Sequence, residues 1–453
     1  MLDDAIRFCM DDDSEAGCFS MIIRLAGVSA GASCSVGVDF TPVSGKTFEW
    51  DWGDGTVETG LTAKPANAHV YASAGDYRIR VSGPVASIAR TVDAPLLTMD
   101  GDANGCVTAV YVNDNAANGG SLVSFGYNLT GSYRDYNPVG LFSKAEGDPM
   151  EVTLTGAAAL REIGSGVFAH GIFSRVELPH FVTTMGVKNF VDAVGPESII
   201  FPDSVTYFGE TQFGAHLSPE TKEVAFPADL ETVNGAFFGV YDGIANVTKL
   251  RIGTTREGAH YTDLGGNCII RKDTMQLIFG YSRSTVPVGT RSIRYDIFRN
   301  IDERYDNKVP NGITIPNTVT SIGDDCFRTY YWEQRNITGV VTFESGITSI
   351  PRRFGAELLF FDPNSSAPKV IIPETVTSIG ADAFSRTENS GYPSTSSFGI
   401  TVKCMATNPP TLGSNAFYRK DAKNYSKLLV PPGCAYKYRN SEWGNKFGTI
   451  TEY

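Results

Sequence analysis

An internal repeat constrains this chain more than any other feature. A proline is followed three residues later by a mostly apolar residue, six later by an apolar residue and eleven later by phenylalanine. Six copies keep these offsets: Pro179…Met185…Phe190, Pro202…Phe208…Phe213, Pro227…Val233…Phe238, Pro287…Ile293…Phe298, Pro316…Ile322…Phe327 and Pro373…Ile379…Phe384. Degenerate copies stand at Leu160…Ile163…Phe168, Ile347…Ile350 and Leu412…Phe417. Pro179 and Pro202 are 23 residues apart, Pro202 and Pro227 25, Pro287 and Pro316 29; the gaps of 60 and 57 residues fit two repeats each. A unit this small cannot bury its own apolar face, so neighbours must stack into a solenoid.

Each unit has a readable physics. The apolar run before proline (Ile199-Ile200-Phe201, Ile313-Thr314-Ile315, Val370-Ile371-Ile372) predicts a short strand. Proline ends it, because it cannot donate to a ladder. The Val-Thr-Ser-Ile-Gly stretch predicts a second extended piece, after which glycine is expected to turn the chain. Phenylalanine is expected to plug the coil interior, and the strands to form one continuous sheet along one side.

The run Ile315-Pro316-Asn317-Thr318-Val319-Thr320-Ser321-Ile322-Gly323-Asp324-Asp325-Cys326-Phe327 and its counterpart Ile372 to Phe384 closely resemble the BspA-like leucine-rich repeats. Asn267-Cys268-Ile269-Ile270-Arg271-Lys272, then Leu277-Ile278-Phe279-Gly280 and Val286-Pro287, is similar to a second signature of that family. Leu429-Val430-Pro431-Pro432-Gly433, then Tyr436-Lys437-Tyr438 and Trp443, looks like its closing cap. The resemblance covers about 300 residues. It implies a surface-exposed binding or adhesion protein more than any chemistry.

Residues 20–95 read differently. Short alternating runs at Met21–Leu25, Ser35–Phe40 and Phe48–Trp52 predict strands of a small β-sandwich, and Gly53-Asp54-Gly55 predicts a tight turn. Trp50-Asp51-Trp52-Gly53-Asp54-Gly55, then His69-Val70-Tyr71, then Gly75-Asp76-Tyr77-Arg78-Ile79-Arg80-Val81 resembles the PKD family. That implies an immunoglobulin-like spacer or adhesion module without catalysis of its own. One short turn does not supply calcium's six to eight oxygens; Asp51 and Asp54 are expected to cap the turn instead. His69 is expected to be structural, satisfying a buried backbone partner. The expected fold class is therefore mainly β, an N-terminal immunoglobulin-like (PKD-like) β-sandwich followed by a leucine-rich-repeat solenoid. The expected organisation is an N-terminal arm and possible anchor at 1–19, the sandwich at 20–95, a connector and possible solenoid cap at 96–150, and the solenoid with its C-terminal cap at 151–453.

Composition narrows the partners. Hydrophobic residues make up 42% of the 453, enough for packed cores. The net charge is −12 with no basic block, so neither nucleic acid nor an anionic membrane surface is an expected partner. No apolar run reaches the roughly 20 residues that span a bilayer, so no membrane insertion is expected. Eight cysteines lie far apart without a CxxC, which predicts reduced, mostly buried thiols.

Motifs for chemistry are not found. HExxH, the phosphate-binding glycine loop and the Rossmann fingerprint are all missing from the sequence. His170 and His180 flank a predicted strand without further metal donors. No catalytic residue, cofactor or metal is expected, and the chain is read as not an enzyme. Insertions in such repeats map to loops on one face, often the binding face. Arg328 to Gln334 interrupts one repeat and Ser385 to Phe398 extends another. Tyr330, Tyr331, Trp332 and Tyr392 are the ligand-contact candidates, because aromatic rings beside polar groups combine apolar area with a polar rim.

The expected function is binding and structure. With Met1 as the start and Leu2-Asp3-Asp4 after it, no export signal is read. That favours a phage virion component made in the host cytoplasm, a tail or head fibre presenting the solenoid for host attachment. Other virion or surface proteins are the expected partners of the N-terminal region, with Asp11-Asp12-Asp13 as a candidate anchoring arm. A host-surface glycan or protein is the expected partner of the solenoid, and a homo-oligomer fits a fibre. The alternatives are a bacterial cell-surface adhesin whose signal peptide is missing from this sequence, and a glycan-acting enzyme using a carboxylate pair.

Overall fold

The computed structural model describes residues 19–89, 94–114, 122–126, 140–209, 212–213, 218–231, 247–253, 258–295, 297–298, 310–328, 339–358, 367–386, 399–419 and 423–453. The chain divides into two compact units, residues 1–257 and 258–453. The described residues are almost entirely strand and turn.

The first unit opens with strands β1 (Phe19–Val28), β2 (Ser33–Val36), β3 (Asp39–Pro42), β4 (Phe48–Asp51), β5 (Val57–Leu61), β6 (His69–Val70), β7 (Gly75–Ser82), β8 (Val85–Ala89), β9 (Leu97–Met99) and β10 (Asp102–Ala103). One antiparallel sheet runs β1-β7-β4-β5; opposite it lie β10-β9-β2-β6 and the pair β3-β8. Period-two alternation selects the buried face. In β4, Phe48 and Trp50 are buried while Glu49 is exposed. Phe40 of β3 meets Trp50 edge-on at 5.2 Å, joining the two layers. This is the expected immunoglobulin-like sandwich.

The turn after β4 is held by its own carboxylates. Asp51 Oδ1 accepts from Gly53 N at 2.8 Å and Asp54 Oδ1 from Thr56 N at 3.0 Å. Gly53 and Gly55 have φ of 84° and 96°, the region glycine enters without a Cβ penalty. His69 does not bond a backbone group as expected. Its Nε2 lies 2.8 Å from Asp54 Oδ2, and its ring stacks on Trp52 at 4.7 Å.

The chain then passes into coils through β11 (Val107–Asp114), β12 (Ser124–Phe125), β13 (Met150–Ala157), β14 (Glu162–Ile163), β15 (Phe173–Glu177), β16 (Thr184–Met185), β17 (Ser198–Ile200), β18 (Tyr207–Phe208), β19 (Glu223–Phe226) and β20 (Lys249–Ile252). The longer coil strands, of which β15, β17 and β19 lead to Pro179, Pro202 and Pro227, pair in parallel as β13-β15 and β17-β19-β20. The two-residue strands form a second parallel ladder, β12-β14-β16-β18. Each coil thus contributes to two sheets, not the single one expected, because the Ser-Ile piece also pairs with its neighbours.

The second unit begins with an antiparallel meander, β21 (Tyr261–Thr262), β22 (Ile269–Arg271) and β23 (Gln276–Phe279). Coils follow with β24 (Ser292–Ile293), β25 (Ile313–Ile315), β26 (Ser321–Ile322), β27 (Val341–Phe343), β28 (Ser349–Ile350), β29 (Val370–Ile372), β30 (Ser378–Ile379), β31 (Thr401–Cys404), β32 (Thr411–Leu412), β33 (Lys427–Val430) and β34 (Thr449–Glu452). The wide ladder runs β25-β27-β29-β31-β33-β34, and narrow ladders run β23-β24-β26 and β28-β30-β32.

Three devices in the repeat hold coil to coil. Proline carbonyls accept the N–H three residues on (Val319 N to Pro316 O 3.0 Å, Val376 N to Pro373 O 3.3 Å), which turns the next apolar side chain inward. Threonine hydroxyls donate back to the preceding coil: Thr320 to Arg291 O at 3.3 Å, Thr377 to Thr348 O at 3.2 Å and Thr411 to Thr377 O at 3.3 Å. Glycine completes the set, and its role differs from the expected turn. Gly380 N donates to Ile350 O at 2.8 Å, and a Cβ built on Gly380 would stand 2.5 Å from Arg352 N. Its backbone presses on backbone, so any side chain would push the coils apart.

Phenylalanines stack along the interior as expected. Phe142, Phe168 and Phe190 follow one another at 5.6 and 4.9 Å in the first unit. Phe298, Phe327, Phe354, Phe384 and Phe417 follow at 4.7, 4.8, 5.9 and 5.3 Å in the second. The column ends on Trp443, 5.1 Å from Phe417, under helix α1 (Ala435–Arg439). Trp443 Nε1 donates to Pro410 O at 2.8 Å and the Tyr438 hydroxyl to Ala406 O at 2.8 Å, so the capping aromatics bury no unpaired polar head. Phe238 lies outside the described residues. Of the six described cysteines, five are buried, Cys106 is half-buried and all are free thiols.

Candidate functional site

In the second unit, each coil has a third side, where the chain rounds its phenylalanine. Here the residue two before phenylalanine takes a left-handed conformation: Asp325 (φ 60°), Asp382 (φ 56°) and Asn415 (φ 57°). Asp and Asn tolerate this region better than most residues. The N–H groups bond forward to the next coil, as Asp325 N to Arg352 O at 3.1 Å and Asp382 N to Ser414 O at 2.9 Å. Of the two insertions read in the sequence, the described residues that lead in, Arg328 and Arg386, stand on this side, one residue after Phe327 and two after Phe384.

The described stem residues are ionic. Asp325 Oδ2 pairs with Arg353 Nη2 at 2.7 Å and its Oδ1 with Arg328 Nη1 at 3.3 Å. Asp324 Oδ2 pairs with Arg352 Nε at 3.2 Å. Neighbouring coils are thereby tied at the rim. The Asp324 pair is half exposed, and such a pair contributes at most about 1 kcal/mol. Further along, Arg386 N donates to Tyr418 O at 2.7 Å and Glu357 N to Ser385 O at 2.8 Å. Arg419 is wholly buried and donates from Nη2 to Leu358 O at 3.0 Å. Burial, with the like charge of Arg386, brings its guanidinium down to about 9, against the pull of Glu357.

Tyr330, Tyr331, Trp332 and Tyr392 all lie outside the described residues. What the structure places is their stems: Arg328 leads into the segment holding the first three, and Arg386 into the segment holding Tyr392. The ion pairs of Asp324 and Asp325 with the next coil were missed in the sequence. Their signal is the doubled Asp-Asp of one coil facing the doubled Arg-Arg of the next, 28 residues on. His170 and His180 are not brought together as a site: His170 Nδ1 lies 3.8 Å from Asp192 Oδ2, and His180 is exposed. Among the described residues no three of His, Cys, Asp and Glu are grouped to hold a metal ion. No helix among them is long and apolar enough to cross a membrane.

Comparison with known proteins agrees with this architecture. A PKD domain model matches residues 27–93. The BspA type leucine rich repeat region matches residues 151–254, 282–390 and 359–426, together more than half of the chain. Several solved structures are similar. A leucine rich cell surface protein from Faecalibacterium prausnitzii A2-165 shares 15% identity, with 82% of this chain and 84% of that one covered and a TM-score of 0.34. The pneumococcal vaccine antigen PcpA shares 15%, with 74% and 72% covered and a TM-score of 0.32. A leucine-rich repeat protein from Bacteroides ovatus ATCC 8483 shares 13%, with 91% and 99% covered and a TM-score of 0.33. No curated protein matches the chain. On the extent of the repeat match, the chain belongs to the BspA type leucine-rich repeat proteins, with a PKD domain ahead of its repeats.

Proposed function

We propose that this is a non-catalytic attachment protein whose ligand contacts are borne on the insertion edge of the second unit. The observation that carries the reading is that the two strand sides of the coils are occupied by coil-to-coil ladders, while Arg328 and Arg386, which lead into the two sequence insertions, stand on the third side. Tyr330, Tyr331, Trp332 and Tyr392 are the proposed contacts, and a host-surface glycan or protein is the proposed partner. Buried aromatics at the centre of such contacts commonly dominate the binding energy.

The test is binding of the labelled full-length protein to intact bacterial cells and to an array of surface glycans. The double variant Tyr331→Ala/Trp332→Ala is expected to lower binding tenfold or more, with an unchanged melting temperature. Unchanged binding by this variant and by Tyr392→Ala would remove these aromatics from the proposal. The setting we propose is the virion, as a phage tail or head fibre; the bacterial cell surface is the competing setting, and both use the same modules. Mass spectrometry and immunogold labelling of purified phage particles and of cell envelopes decide between them. A glycan-acting enzyme would instead release reducing sugar from the array ligands it binds.

A further inference from the structure

We propose that the β-sandwich is the N-terminal cap of the solenoid and opens cooperatively with the first coils, so that it is not a spacer hung ahead of them. An uncapped coil presents two rows of unpaired backbone groups and an open apolar interior. Here both rows are taken up by sandwich strands. β11 is antiparallel to β1 (Ile22 opposite Tyr111) and parallel to β13 (Tyr111 opposite Thr153). β12 is parallel to β8 (Phe125 opposite Ile88) and to β14 (Phe125 opposite Ile163). Two sheets therefore run through the boundary, as β15-β13-β11-β1-β7-β4-β5 and β18-β16-β14-β12-β8-β3.

The interior is closed by the same segment. Phe125 stacks on Phe142 at 6.0 Å, which begins the first unit's aromatic column. Two buried polar side chains act as bolts. Asn104, with φ 47°, donates from Nδ2 to Leu141 O at 3.0 Å and Ser143 O at 2.9 Å, while its Oδ1 accepts from Leu97 N at 3.0 Å. Lys144 Nζ donates to Val107 O at 2.9 Å and Asp148 O at 2.7 Å. On the outer face Arg24 lies over the Tyr111 ring, the Tyr111 hydroxyl donates to Glu151, and Glu151 pairs with Arg175. That chain of contacts starts in the sandwich and ends in the second coil strand. The PKD match stops at residue 93, before β9, β11 and both bolts.

Native-state hydrogen exchange on the full-length chain tests this. Trp50→Ala opens a hole in the sandwich, where Trp50 packs on Phe40 and Trp52. Amides of β13 and β14 are expected to lose protection by the same factor as those of β1 and β7, roughly a hundredfold. Faster exchange in β1 and β7 with wild-type protection in β13 and β14 would overturn the proposal. Should Trp50→Ala fail to fold, Asn104→Ala serves. Joint loss of protection in β1, β7, β13 and β14, about tenfold, supports the cap. Loss confined to residues 97, 141 and 143 overturns it.

Discussion

At the scale of single residues, the threonine, glycine and phenylalanine of the repeat each make a contact one coil away. Gly380 is the clearest case, because backbone occupies the space its Cβ would need. Gly380→Ala is expected to destabilise the protein by about 1–3 kcal/mol, seen as a lower denaturation midpoint. Two residues on, Asp382 sits at φ 56°, where glycine pays no steric cost. Asp382→Gly should stay within about 1 kcal/mol of wild type; equal losses in both variants would sink the close-approach explanation. Asp54 gives a pH-dependent case. Burial pushes its carboxyl up, but hydrogen bonds from the Thr56 N–H and hydroxyl and contact with His69 outweigh this and hold it below the ordinary 3.8. Its ionised form thus stabilises the fold above the unfolded value near pH 4, and that contribution is lost as pH falls through the lower folded value. Asp54→Asn is expected to cost about 1 kcal/mol at neutral pH. Melting curves of both proteins should converge in acid; a gap that stays constant with pH would contradict this role.

At the scale of the element, the coil is a three-sided turn of chain around one aromatic ring. Phe384 lies between Phe354 and Phe417 in the column, fully buried. Phe384→Ala is expected to cost about 3–5 kcal/mol, because the stacked coils cannot collapse into the space. Thr377→Val keeps the shape and removes the hydroxyl that reaches Thr348 O, for a loss of about 0.5–1.5 kcal/mol. Chemical denaturation of the two variants checks both, and a Thr377→Val loss as large as that of Phe384→Ala would contradict the ranking. The proline and phenylalanine positions were legible in the sequence because each follows from one coil's own geometry. The threonine and glycine contacts were not. Their partners lie 28 to 34 residues away, and a repeat period alone does not say which atoms meet.

At the scale of the molecule, the order of sandwich and repeats could be read from motifs, and the structure bears out that mainly β fold. The joint between them could not be read. β11 matches neither pattern, since it serves an antiparallel neighbour on one side and a parallel one on the other. Its residues alternate as any half-buried strand would. The candidate ligand contacts were chosen for aromatic chemistry and interruption of the repeat. The structure adds only where the residues leading into them stand: Arg328 and Arg386 each come just after a phenylalanine of the column.

The wide ladder of the second unit also says how such a protein meets force. Its strands β25, β27, β29, β31 and β33 lie side by side, and their hydrogen bonds point from coil to coil. Tension along that direction pulls a few bonds lengthwise at a time, as in opening a zip, so coils should come away singly. Phe298 and Phe327 are 29 residues apart, and a released coil of that size pays out about 100 Å of chain. Single-molecule pulling on the full-length protein should therefore give a run of steps near that length. One abrupt rupture would contradict coil-by-coil release. A tether made this way yields length under load before it surrenders its hold.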